Sequence, residues 1–377
     1  MKERTSVQTS LLEIANKARS EKRYRFRNLY RELNEELLLD SWRLLRKDAA
    51  LGVDRISAAE YEANLEENIN QLVERLKRKS YRARLVRRQY IPKGDGRMRP
   101  LGIPATEDKL LQLAVKRLLE AIFEQDFLSC SYGYRPRVGA LEAVDQLTVM
   151  LQFGAYHQVV EADIRGFFDN LSHEWLMRML GERIDDEPIL RLIKKWLNAG
   201  VLDTDGKVLR PESGTPQGGI ISPVLANVYL HYALDLWFAG VFQHSCKGKC
   251  FLHRYADDFV CGFEREEDAQ RFYSELAERL RKFGLELAAD KTRVIPFSRF
   301  RRGETSFEFL GFEFRWGTDR KGQTTEAAHL AEEVSELSQT RSRMVQKEPP
   351  PPGGRTVQAT ECQTSGVLQL LWSQWQL

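Results

Sequence analysis

The chain has 377 residues, 42% of them hydrophobic, which is enough for one large domain or two to three subdomains. Formal net charge is only +3, and the five cysteines (Cys130, Cys246, Cys250, Cys261, Cys362) are scattered and odd in number. That pattern excludes a disulfide framework as the organising device and fits a reducing compartment. The apolar runs read as too short to span a bilayer, and the opening MKERTSVQTS lacks the apolar core of a signal peptide. A cytoplasmic protein without membrane contact is therefore expected.

Leu and Trp recur at helical spacing over 31–48, and a second helix is expected over 58–79 with Ser57 as its N-cap. RQYIPK at 88–93 reads as a strand entering a turn at Gly94, Asp95 and Gly96. An amphipathic helix follows at 107–125. Residues 158–164 (QVVEADI) read as a strand, 172–180 as a helix and 220–238 as a largely buried helix. FLHRYADDFVCGF at 251–263 reads as a hairpin, two apolar runs around an acidic turn. A helix at 265–283 and a strand at 307–314 (FEFLGFEF) complete the pattern. Strands and helices alternate irregularly, which points to an α+β fold rather than a doubly wound sheet. From about Thr324 the apolar rhythm is lost, and EPPPPGG at 348–354 blocks regular structure.

Charge is informative by location. Residues 75–99 (RLKRKSYRARLVRRQYIPKGDGRMR) and RFRR at 299–302 carry clustered cations interleaved with Tyr, which suits a phosphate backbone. The same stretches also read as a solvated helix face and turn. Two acidic sites stand out: Asp163 at the end of an apolar strand, and the Asp257–Asp258 pair in the hairpin turn. An acid at a strand end commonly just marks the surface, and so does an acid pair in a tight turn. Together they have another use. Two-metal phosphoryl transfer needs carboxylates that hold two Mg²⁺ ions about 3.5–4 Å apart, and a strand end beside a hairpin tip supplies them on rigid backbone.

At this point the chain resembles bacterial group II intron-encoded reverse transcriptases, also called intron maturases. The resemblance rests on seven blocks in order: YIPKGDGRMRPLGIP (90–104), SYGYRPRVGALEAV (131–144), EADIRGFFDN (161–170), SGTPQGGIISPVLANVYL (213–230), RYADDFV (254–260), LAADKTRVI (287–295) and FEFLGFEF (307–314). It covers about residues 30–320. It implies a right-hand polymerase with fingers and palm, an antiparallel sheet flanked by helices, and RNA-directed DNA polymerisation during intron mobility and splicing.

The resemblance also implies roles. Asp163 and Asp257 match the metal-binding pair, Asp258 the third acid, and the carbonyl of Ile164 a further ligand, for two Mg²⁺ ions with Mn²⁺ as a substitute. Lys93 and Arg99 match residues that hold the incoming triphosphate. Phe168 matches the aromatic gate that excludes a ribonucleotide 2′-OH, a reading favoured over the alternative of a core Phe beside Phe167. Gln217 matches the block beside nucleotide and template, and Lys291 a lysine near the leaving pyrophosphate, a proton donor. Arg135 and Arg137 match a block along the template path. The implied partners are group II intron RNA as template, a DNA primer or target, and dNTPs, with no expectation for oligomeric state.

Other features have ordinary readings. His244, Cys246, Cys250 and His253 could suggest zinc, but C-x₃-C is not the usual knuckle spacing, and a loop with free thiols is the expectation. Cys130 and Cys261 read as small core residues, and His157 and His173 as structural.

Three regions are expected: an N-terminal helical extension and start of fingers (1–85), fingers and palm (86–320), and an atypical tail (321–377). The family continues into a helical thumb, which the tail does not resemble. The ending VLQLLWSQWQL can be back-translated so that a one-nucleotide shift reads YYNYYGVNGN, with Trp372 and Trp375 each forcing a glycine where the family's thumb motif has one. This suggests a reading-frame shift near 323–331, a thumb missing or incomplete, and weakened grip on primer and template. The alternatives to an active polymerase are a non-catalytic RNA-binding remnant and a domesticated reverse transcriptase in phage defence or a CRISPR locus.

Overall fold

The computed structural model of the protein describes residues 6–92, 98–298, 300 and 305–316, with the backbone of 325–329. Helices α1 (Ser6–Ser20), α2 (Glu35–Leu44), α3 (Ala58–Glu62) and α4 (Leu65–Lys77) come first. Strands β1 (Val86–Pro92) and β2 (Met98–Ile103) follow, then α5 (Thr106–Phe123) and α6 (Ala140–Phe153). Strand β3 (Gln158–Asp163) leads into α7 (Phe167–Asn170), α8 (His173–Gly181) and α9 (Glu187–Leu197). The short strands β4 (Val201–Leu202) and β5 (Val208–Leu209) precede α10 (Ser222–Leu230). That helix runs on through two π turns, His231–Asp235 and Phe238–Phe242, into α11 (Gln243–Ser245). Next come β6 (Cys250–Tyr255), β7 (Asp258–Phe263), α12 (Glu266–Lys282), β8 (Arg293–Pro296), β9 (Ser306–Phe309), β10 (Phe312–Trp316) and β11 (Thr325–His329).

The central sheet is antiparallel in the order β6-β7-β3-β8. Successive side chains on its strands point to opposite faces, and both faces are apolar. Val160 and Ala162 of β3, with Phe259, Cys261 and Phe263 of β7, join the main helical core. Val159, Phe251 and Val260 face the other way, onto α6 and the phenylalanines of β9 and β10. A second sheet, β2-β1-β4-β5, carries the long β1–β2 hairpin, and a third joins β9, β10 and β11. The α+β class, with an antiparallel sheet flanked by helices, is as expected.

Four expectations are corrected. The helix read over 58–79 is two helices, because the chain leaves helical geometry at Asn64 (φ −130°) before α4 begins. Ser57 does cap the first of them, with Glu60 closing a capping box. FEFLGFEF is a hairpin rather than one strand: Leu310 (φ 55°) and Gly311 (φ 79°) reverse the chain between β9 and β10. Regular structure continues past 324, since the backbone of β11 pairs with β10. Finally, Ser222–Ser245 is one helical run of 24 residues, long and apolar enough to cross a membrane by length and composition. It is mostly buried as the central core helix. Of the stretch 323–331 where a frame shift is expected, only the backbone of 325–329 is described, and the tail beyond 329 lies outside the described residues.

Candidate active site

The acidic corner follows from strand register. Tyr255 pairs with Asp258, so β6 and β7 are joined by the two residues Ala256 and Asp257. Ala256 takes a positive φ of 58°, the left-handed backbone that so tight a reversal needs. Asp163 stands directly opposite Asp258 on the neighbouring strand, which places both side chains on one face of the sheet. Glu161 shares that face and pairs with Arg293 at 2.6 Å.

Negative charge in this corner is under strain. Burial, then Asp163, Asp257 and Glu161, push the Asp258 carboxyl up to about 7, with Lys291 opposing. Asp257 is also raised, chiefly by burial and further by Asp163, while Arg99 and Arg254 hold it down. Lys291 Nζ sits 2.6 Å from Asp163 Oδ2. The segment bearing Lys291 is pinned to the end of β3: Ala288 N–H donates to the Asp163 carbonyl (2.9 Å), and Ile164 bridges to Leu287. The Ile164 side chain is buried in the main core, so its backbone is what this corner presents.

Phe167 and Phe168 follow at the start of α7. Phe167 packs against Tyr229 in the core. Phe168 is also largely buried, and its ring meets the edge of Tyr134 with centroids 6.3 Å apart. Tyr134 is partly exposed, and the charge of Asp257 and the ring hydroxyl of Tyr255 help burial raise its phenol. Phe168 is thus reached through Tyr134 from the acidic corner. The Thr215–Gly218 loop braces α7 from behind. Thr215 N–H donates to the Phe168 carbonyl (2.8 Å), and Gly214 N–H to the Leu171 carbonyl (2.7 Å). Gly214 has φ +85°, and a Cβ there would lie 2.7 Å from the Asp169 carbonyl oxygen, so the position needs glycine. His173 also holds the Gly214 carbonyl, at 2.6 Å.

Gln217 lies on this loop where it meets β2: Gly102 N–H donates to the Gln217 carbonyl at 2.6 Å. Arg99, on β2 opposite Ile91, is exposed and close enough to act electrostatically on Asp257 and Tyr134. Lys93 lies outside the described residues. The structure therefore gathers Asp163, Asp257, Asp258, Lys291, Phe168 and Arg99 around one corner, with Ile164 at its base and Gln217 behind.

Two other expectations change, for Arg135 and for the basic segment. Arg135, expected along the template path, is held inside instead: it bonds Glu124 (3.1 Å) and the carbonyls of Leu128 (3.0 Å) and Ser131 (2.6 Å). The basic segment is likewise partly committed, since Arg75 forks onto Glu107 and Arg84 pairs with Asp54. The Cys246 and Cys250 sulfurs lie 3.5 Å apart, but His253 turns away from them, hydrogen-bonding the Ala143 carbonyl and packing at a tilt against Tyr132. Cys261 is buried, and Cys130 packs at the edge of the main core.

Sequence reasoning missed Tyr134, Arg254, Asn227 and Asp235. A signal existed for two of them: Arg254 interrupts an apolar strand, and Asp235 an apolar helix. A charge in such a place needs a partner. Arg254 is fully buried and pairs with Asp235 at 2.6 Å.

The donor set suits a hard cation. Asp163, Asp257 and Asp258 lie at adjoining strand ends and the hairpin tip, where burial and neighbouring charge raise the Asp257 and Asp258 carboxyls, a condition a divalent ion would relieve. Among the described residues no three His, Cys, Asp or Glu side chains form a ready-made cage for one ion. Mg²⁺ bound by one or two carboxylates, with the remainder of its shell from phosphate and water, needs no such cage.

Residues 91–314 match the reverse transcriptase (RNA-dependent DNA polymerase) family. Group II intron-encoded protein LtrA of Lactococcus lactis subsp. cremoris is 44% identical over 167 residues, covering 44% of this chain and 27% of that protein. Protein YkfC of Escherichia coli K12 is 37% identical over 185 residues, 48% of each chain. The chain thus spans from about a quarter to about half the length of these relatives. Among solved structures, a Candida albicans telomerase shares the fold at TM-score 0.50 and 14% identity, over 77% of this chain and 55% of that one. With its acidic hairpin in register beside Asp163 and the family match over most of the described palm, the chain belongs to the reverse transcriptase family.

Proposed function

We propose that the protein is an RNA-directed DNA polymerase of the group II intron type, adding deoxynucleotides to a primer on intron RNA. The observation that carries this reading is Asp163 paired in register with Asp258, with Asp257 at the adjoining tip. Mg²⁺, or Mn²⁺ in its place, would be held by Asp163, Asp257 and Asp258 with the Ile164 carbonyl. It would supply charge stabilisation for the attacking 3′-oxygen and the leaving pyrophosphate.

The chain's own residues do the rest. Lys93 and Arg99 hold the triphosphate by charge-assisted hydrogen bonds. Phe168, braced by the Thr215–Gly218 loop and flanked by Tyr134, limits space at the sugar 2′ position. Gln217 lies where nucleotide meets template. Lys291 moves off Asp163 as the carboxylate takes up its role, and donates a proton to the leaving group. An RNA–DNA hybrid would be gripped by its phosphates and 2′-hydroxyls rather than read by sequence. A cytoplasmic location fits this role.

Primer extension tests the reading. Purified protein with poly(rA), oligo(dT), Mg²⁺ and dTTP should make product, and Asp257→Ala should abolish it. Product surviving that substitution would sink the site assignment. No product from the unmodified protein would favour an RNA-binding remnant.

A further inference from the structure

We infer that Arg254 is a positioning residue for the acidic hairpin, setting the metal affinity of its carboxylates from beneath the sheet. The inference rests on reading the three aspartates as metal ligands.

Arg254 lies on β6, one residue before the turn's first strand partner, and no part of its side chain reaches solvent. Its guanidinium has five donors in a fixed fork, and the surroundings use them fully. Nε and one terminal nitrogen fork onto Asp235 (2.7 and 2.6 Å). The same terminal nitrogen donates to Ser131 Oγ (2.7 Å). The other donates to Asn227 Oδ1 (3.1 Å) and to the carbonyl of Ala256 (2.8 Å). Ala256 is the left-handed residue of the turn and the immediate neighbour of Asp257. Arg254 therefore holds the peptide from which Asp257 projects.

The clamp has a second jaw. Asn227 donates onward to the Gly133 carbonyl at 2.7 Å. Gly133 is pressed so closely on the turn that a Cβ there would lie 2.3 Å from the Ala256 nitrogen. The adjacent backbone bonds Arg254 from both sides, Arg254 N–H to the Cys130 carbonyl and Tyr132 N–H to the Arg254 carbonyl, each 2.8 Å. The segment that carries Tyr134 and the turn that carries Asp257 are thus fixed to one another through Arg254 and Asn227.

The helix is shaped for this purpose. Asn227 and Asp235 are eight residues apart. In an unbroken α-helix that is about 2.2 turns, which leaves the two side chains roughly 80° apart. The π turn at His231–Asp235 takes up about one extra residue and restores them to a common face. Both then meet the same guanidinium. A buried ion pair needed only for stability would require neither the bond to the Ala256 carbonyl nor the link to Gly133.

The test uses Mn²⁺ alone, followed through the EPR signal of the free ion, so it does not depend on polymerase activity. Arg254→Met combined with Asp235→Leu removes the clamp without leaving a charge unpaired. The control is Arg117→Met with Asp40→Leu, an ion pair of 2.7 Å away from the acidic corner. The clamp variant should bind Mn²⁺ at least fivefold more weakly, while the control stays within twofold at a comparable loss of thermal stability. Should the clamp variant fail to fold, Arg254→Lys decides: it keeps a cation against Asp235 but cannot also reach Ala256, Asn227 and Ser131. Weakened Mn²⁺ binding in that folded variant supports the inference. Unchanged Mn²⁺ affinity in either folded variant overturns it, as does an unmodified protein whose Mn²⁺ binding is indifferent to Asp257→Asn. Mn²⁺ binding that depends on Asp257 and Arg254, in a protein that extends no primer, would refute the polymerase reading and leave this one standing.

Discussion

Lys291 Nζ lies 2.6 Å from Asp163 Oδ2, so one catalytic candidate neutralises another. Both side chains are partly exposed, and the pair contributes little to stability. Its significance is positional. A cation held over Asp163 keeps the corner from accumulating three bare charges, and it must move when a divalent ion takes the carboxylate. Lys291→Ala should therefore leave Mn²⁺ binding intact or tighter. If Lys291 also supplies the proton to pyrophosphate, single-turnover nucleotide addition should slow by about 10²-fold. A slow step with weakened Mn²⁺ binding would place Lys291 in metal organisation instead.

Phe168 should govern the choice of sugar. Its backbone is fixed by Thr215 and its ring by Phe167 and Tyr134, so it cannot swing aside cheaply. Phe168→Ala should reduce the preference for dTTP over UTP, in ratios of kcat/KM, by roughly 10- to 100-fold. Incorporation of dTTP itself should fall far less. A uniform loss for both nucleotides would mean that Phe168 is only a core residue.

The acidic corner was legible because its signals were local. Two apolar runs on either side of an acidic turn mark a hairpin without reference to the remainder of the chain, while its register came from the structure. The Leu310–Gly311 reversal was not legible, since a leucine in left-handed backbone sits where turn chemistry asks for Asn or Gly. The break at Asn64 was hidden likewise, with no Gly or Pro to mark it. Arg135 looked like a template contact only because a sequence cannot show that Glu124 and two carbonyls lie within its reach. Arg254, by interrupting an apolar strand, signalled that a partner was needed but not which one. Its partners, Ser131, Asn227 and Asp235, lie 123, 27 and 19 residues away, and only tertiary structure assembles them.

Gly133 should tolerate no side chain. A Cβ at this position meets backbone rather than a flexible side chain, 2.3 Å from the Ala256 nitrogen, so relief requires moving the acidic turn. Gly133→Ala should cost about 1–3 kcal/mol in urea unfolding and weaken Mn²⁺ binding. Gly181, at the end of α8 with nothing within 4 Å of a built Cβ, is the comparison. Gly181→Ala should be neutral or stabilise by up to about 1 kcal/mol. Equal effects at the two positions would show that the turn is not closely held.

Metal-free stability should carry the signature of Asp258. Its carboxyl titrates at about 7 in the folded protein against an ordinary 3.8. Between those values the folded state holds a proton that the unfolded chain has released, so stability falls as pH rises from about 4 to about 7 and is flat for this group outside that window. Asp258→Asn lacks the titration. In EDTA the variant should therefore gain on the unmodified protein across that range, by roughly 1–3 kcal/mol at pH 7.5 relative to pH 4. His231 and His253, pushed down to about 4 by burial, act in the opposite sense, because their unfolded forms take up protons below about 6.5. They are common to both proteins and cancel in the difference. Adding Mg²⁺ at pH 7.5 should reverse the ranking, since only the unmodified protein presents the third carboxylate to the ion. A stability difference that does not change with pH would mean that Asp258 is ionised throughout, and that the corner carries its full negative charge without a metal.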